Sequence, residues 1–158
     1  MVKEKIIQVF ERSLQRLYLE DSFLIEHESS ERSIVASLKC ILKESWVFSE
    51  YIIDIEYNRE GSENNSKKDQ NGSATTADLI IHKTRWDTVD GNLLYLEAKT
   101  YFNRTQSNQS DDIESIRYFM NKFNYQYWMF LFFWREKWDF ILYFRSESGI
   151  EEFKTGNF

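Results

Sequence analysis

Apolar residues recur at three- and four-residue intervals over positions 3–20, where Ile6, Ile7, Phe10, Leu14 and Leu17 mark one face of a helix. The spacing returns over 30–43, with Val35, Leu38 and Leu42 inward and Ser30 set to cap the first turn. Glu31 lies four residues before Val35 and therefore falls on the inward stripe, an odd position for a carboxylate. An acid in the first turn also favours the helix dipole, and periodicity leaves both readings open. The pattern then changes to strands. Residues 51–57 are rich in β-branched and aromatic side chains and end in Glu56-Tyr57-Asn58-Arg59. Positions 61–76 hold one apolar residue, Ala74, and predict a loop or hairpin tip.

Two more strands are predicted over 77–82 and 92–100, joined through the turn signal Asp90-Gly91. A polar loop over 103–110 leads to a helix opened by Asp111 and Asp112, with Ile113, Ile116, Met120 and Phe123 as its buried stripe. Residues 125–134 and 138–144 then read as a hairpin turned at Arg135-Glu136-Lys137. Of the 27 aromatic residues, 14 lie between Tyr118 and Phe144. Such density suits a base-stacking platform or a packed β core, and the absence of polar alternation over 128–133 favours the core. The order is helix, helix, three strands, helix, two strands, with no internal repeat.

At 158 residues the chain has the length of one domain, large enough to bury about 70% of its unfolded surface. The longest apolar run, from Trp128 to Trp134, is seven residues, against about 20 for a spanning helix, and no signal segment opens the chain. The single cysteine, Cys40, supports neither an internal disulfide nor a thiolate metal site. A cytoplasmic, non-membrane protein is the expectation. The formal charge of −6 disfavours a life of nonspecific phosphate attraction, but a carboxylate-bound divalent cation would supply positive potential that this sum omits.

Candidate chemistry gathers on two neighbouring strands. Glu97 and Lys99 share one face of 92–100, while Leu94, Leu96 and Ala98 take the other. Asp78 shares its face with Ile80 and His82, so pairing the two strands brings Asp78 towards Glu97. Two carboxylates set together call for a cation or a proton, and hard oxygen donors suit Mg²⁺ or Mn²⁺. That combination is the equipment of metal-assisted phosphodiester hydrolysis.

Asp78 followed by Glu97-Ala98-Lys99 nineteen positions later, behind a helix bearing Glu31, resembles the PD-(D/E)XK nuclease superfamily. Four blocks carry the likeness to small prokaryotic members: Glu31-Arg32-Ser33-Ile34, Glu56-Tyr57-Asn58-Arg59, Asp78-Leu79-Ile80-Ile81-His82 and Asn92-Leu93-Leu94-Tyr95-Leu96-Glu97-Ala98-Lys99. Ala77 stands where the superfamily name has proline, and Ala98 where Val or Ile is usual. The resemblance covers about 27–144. It implies a restriction-endonuclease-like α-β-β-β-α-β core, a mixed central sheet flanked by helices, with an extra N-terminal helix and C-terminal strand. It also implies Asp78, Glu97 and the backbone carbonyl of Ala98 as metal ligands, with Glu31 joining through water or at a second site. Lys99 would orient or deprotonate the attacking water; since neighbouring carboxylates favour its charged form, the orienting role is preferred.

Arg59 and His82 are further substrate-binding candidates, each with a plainer reading as an ion-pair partner or a satisfied core histidine. His27, four residues from Glu31, lacks a third zinc ligand. No glycine-rich phosphate loop or nucleophile elbow is present. The expectation is a metal-dependent nuclease acting on nucleic acid, DNA in the first instance. The alternative is a catalytically silent nuclease-fold binding module or a subunit of a larger defence or repair complex. A symmetric dimer would let so small a chain cut both strands, and the aromatic hairpin would supply an interface if its edge were uncovered.

Overall fold

The structure, a computed structural model, describes residues 1–57, 59–60, 65–66, 68, 72, 74–83, 91–103 and 109–156, and of 59–60, 65–66, 103 and 109–115 the backbone alone. The first helical stripe forms α1 (Lys3–Glu20), a short α2 (Ser22–Glu26) follows, and α3 spans Glu31–Lys43. Ser30 caps α3 as expected, its hydroxyl accepting the Ser33 N–H at 3.2 Å. The next elements are β1 (Ile52–Tyr57), the two-residue β2 (Arg59–Glu60) and β3 (Asn65–Ser66), β4 (Ala77–His82) and β5 (Asn92–Thr100). The second half comprises α4 (Gln109–Lys122), β6 (Tyr127–Phe133), β7 (Trp138–Ser146) and β8 (Gly149–Lys154).

Six strands make one mixed α/β sheet in the order β1-β4-β5-β6-β7-β8, while β2 and β3 pair only with each other. All joins in the large sheet are antiparallel except β5 with β6, which run parallel because α4 carries the chain back across the sheet. Alternation sorts the strand residues onto two cores. Leu79, Ile81, Leu94, Leu96, Met129 and Leu131 join the stripes of α1 and α3 on one face. Ile80, Tyr95, Trp128 and Ile141 meet Ile116, Phe119 and Met120 of α4 on the other. The aromatic run is therefore core: Tyr95 lies fully buried with its ring stacked on Trp128 at 4.2 Å.

Three sequence expectations change. The last helix starts two residues earlier than Asp111, within the segment read as polar loop. The strand pair over 125–144 is not the end of the sheet: β8 covers the edge of β7, from Ile141 opposite Lys154 to Ser146 opposite Gly149. An interface on an uncovered β7 edge is thereby removed. Among the described residues no helix is long and apolar enough to cross a membrane.

Candidate functional site

The candidate residues collect where β4 stops and β5 continues. The β4–β5 ladder ends at Leu79 opposite Leu96, leaving the end of β5 without a strand partner on that side among the described residues. N–H groups two residues apart point to the same edge of a strand, and two of them, at Ala98 and Thr100, meet side chains instead of backbone. Asp78 Oδ2 accepts the Ala98 N–H at 2.7 Å, and Glu31 Oε2 accepts the Thr100 N–H at 3.0 Å. At about 3.3 Å per residue these rungs lie about 7 Å apart, so two carboxylates from distant segments stand side by side on one strand edge. An unsatisfied buried N–H costs about 1–3 kcal/mol, which is a physical reason for acceptors at both points. The inward-pointing Glu31 of the sequence pattern thus has a partner 69 residues away.

Glu97 and Lys99 follow the expected alternation. Both are partly exposed, between the buried Leu96, Ala98 and Thr100. Lys99 Nζ donates to the Ala98 carbonyl at 2.9 Å, so the oxygen expected to face a cation is here bonded by the lysine. Burial raises the Asp78 carboxyl above its ordinary value, and the charge of Glu56 pushes the same way; the Ala98 N–H and Lys99 oppose them. The buried hydroxyl of Tyr95 is also raised, first by burial, with the charges of Glu97 and Asp78 pushing the same way. A crevice of about 10 Å³ lies between Lys99, Thr100 and Tyr101 and the end of β6 at Phe132, Phe133 and Trp134, away from the acids.

Glu56, named in the sequence only as part of a strand end, stands beside Asp78. It falls between the rungs pairing Ile55 with Leu79 and Tyr57 with Ala77, across from Asp78. Its φ of 50° is left-handed, a conformation costing a non-glycine residue about 1–2 kcal/mol, and this turns the strand end. Arg32 Nη2 lies 3.2 Å from its carboxylate. The first turn of α3 therefore reaches both sides of Asp78, Glu31 to β5 and Arg32 to β1. The Glu-Tyr-Asn-Arg block offered the residue but not its backbone conformation.

The remaining candidates lie apart. His82 is 1% exposed at the far end of β4, its Nε2 3.2 Å from Asp54 Oδ2 and its ring beside Tyr57. These surroundings are those of a buried histidine held by a neighbouring acid. His27 is exposed and stacked on Phe23. The side chain of Arg59 lies outside the described residues, as do most of 61–76 and 104–108. Among the described residues no group of three or more His, Cys, Asp and Glu side chains forms a metal-binding cluster. No protein-family model matches the chain, and no curated protein or solved structure matches it either.

Proposed function

We propose that the protein is a metal-dependent nuclease that hydrolyses phosphodiester bonds, with DNA as substrate. One observation carries the reading: Asp78 of β4 and Glu31 of α3 each bond a backbone N–H on the edge of β5 that carries Glu97 and Lys99. The helix before a three-strand antiparallel run and the parallel return through α4 support a restriction-endonuclease-like core.

The donor set fits a magnesium-type ion, which takes hard oxygens and binds through one or two carboxylates while keeping several waters. Asp78 and Glu97 would be those carboxylates, with the Ala98 carbonyl as third oxygen once Lys99 swings from it. Glu31, held by Thr100, would act through water, in keeping with the absence of a three-acid cluster among the described residues. Such an ion, when bound, supplies a nucleophilic hydroxide at neutral pH and offsets phosphate charge. Asp78 contributes a desolvated carboxylate fixed by the Ala98 N–H. Lys99 contributes an ammonium for the scissile phosphate and the attacking water.

The hydrogen bonds of Asp78 and Glu31 favour a second reading, in which both acids only close the strand edge and the domain is a silent binding module or complex subunit. A cleavage assay with Mn²⁺ and Mg²⁺ on linear, circular, single-stranded and branched DNA and on RNA separates the two. Under the nuclease reading K99A lowers cleavage by about 10²–10³-fold while metal affinity stays within a few-fold of wild type. Metal binding without cleavage of any substrate would transfer the case to the silent module.

A further inference from the structure

A second site lies away from these acids. A cleft of about 390 Å³ separates the middle of α1 from the C-terminal end of α3 and the turn after it. At 1.5 Å per residue, α3 sets this cleft about 20 Å from Glu31. The volume falls within the range of small-molecule pockets, about 300–1,000 Å³. Three cationic side chains, Lys5, Arg12 and Arg16, line it against one carboxylate, Glu44, in a protein whose net charge is −6.

The cations differ in what they do. Arg16 is bound to Glu20 and Glu44 and forms a fixed wall. Arg12 is exposed and has no ion pair among the described residues, and Lys5 has its ammonium 5.6 Å from the centre of the Trp46 ring. Trp46 itself is 75% exposed, an unusual state for the largest apolar side chain, and its ring borders the cleft. Ser13, 6% exposed, brings a hydroxyl to the lining. The exposed indole of Trp46 with Lys5 over one side of its ring, the guanidinium of Arg12 and Ser13 around one volume make a complementary set: a flat heteroaromatic ring for stacking and a phosphate for the cations.

We infer that this cleft binds one nucleotide unit, with its base stacked on Trp46 and its phosphate held by Arg12 and Lys5. The unit comes either free, as a mononucleotide, or as the terminal nucleotide of a strand. The site stands independently of the acids on β5. It also gives an acidic protein a local place to hold phosphate.

Calorimetric titration in EDTA tests it without involving the metal-dependent reading. The probes are adenosine 5′-monophosphate, adenosine, inorganic phosphate and a 5′-phosphorylated deoxyadenylate pentamer. The monophosphate binds, while adenosine and phosphate alone are each weaker by at least about tenfold. R12A weakens the monophosphate by about tenfold, W46A does so at least as strongly, and W46F retains most of the affinity. Tighter binding of the pentamer assigns the site to a strand end, and equal or weaker binding to a free nucleotide. All three substitutions sit on exposed side chains, so circular dichroism should match wild type. Absence of monophosphate binding at millimolar concentration, or equal binding by wild type, R12A and W46A, overturns the inference.

Discussion

The two ends of β4 each carry an acid pairing, and they are built to opposite designs. At the far end Asp54 faces the His82 ring, with Lys39 Nζ 4.0 Å from its other oxygen, so the charge has two cationic or hydrogen-bonding neighbours. At the near end Asp78 accepts the Ala98 N–H and feels the charge of Lys99, yet its burial, helped by a second acid, Glu56, leaves its carboxyl raised. One strand and one face thus hold a satisfied pair and a frustrated one. A frustrated carboxylate costs stability, and such costs concentrate where a site has work to do.

The largest effect that would break this comparison concerns metal. D78N and E97Q should each lower Mn²⁺ affinity by more than about 100-fold in calorimetry; unchanged affinity would leave Asp78 a mere strand plug. D78N also has a pH signature. The folded carboxyl is raised above its ordinary value of 3.8, so folding retains a proton that the unfolded chain gives up. The contribution of Asp78 to the stability of the metal-free protein therefore falls as the pH climbs from that value through the raised one, and is constant above it. D78N lacks this loss and should melt higher than wild type at neutral pH, while added Mg²⁺ raises the melting temperature of wild type alone.

The far end answers differently. H82A should cost about 2 kcal/mol in urea unfolding, since it empties a buried position and removes the partner of Asp54, yet leave metal affinity untouched. A loss of metal affinity in H82A would erase the distinction between the two ends. Glu31 sharpens the near end. E31A strands the Thr100 N–H and should cost about 1 kcal/mol, whereas E31Q keeps an acceptor and should fold like wild type. If E31Q nonetheless lowers cleavage, the charge of Glu31 serves the reaction; if both variants change stability alone, its role ends at the strand edge. The smallest effect is R32A, about 0.3 kcal/mol, because its pair with Glu56 is 68% and 44% exposed.

How much of this was legible depended on the range of the signal. The alternation over Leu94, Tyr95, Leu96, Glu97 and Ala98 specified which side chains share a face, and Ser30 specified the start of α3. These are local, period-driven signals. The odd inward position of Glu31 was visible, but not its bond to Thr100, which needs the fold to bring two segments together. Asp54 was missed for the same reason, its histidine lying 28 residues on. β8 escaped because Ile150 and Phe153 are its only large apolar residues and most of the strand is exposed. The left-handed Glu56 escaped because φ above zero leaves a trace in sequence only when glycine or asparagine supplies it.

The stack of Tyr95 on Trp128 has an optical consequence. Two aromatic transitions held 4.2 Å apart and nearly parallel, at an interplanar angle of 19°, couple and give an asymmetric near-ultraviolet signal. The phenol end of that pair lies in the electric field of Asp78 and Glu97. A cation or proton arriving at those carboxylates would change this field, so the near-ultraviolet signal of the stack is where binding there would be read without a label.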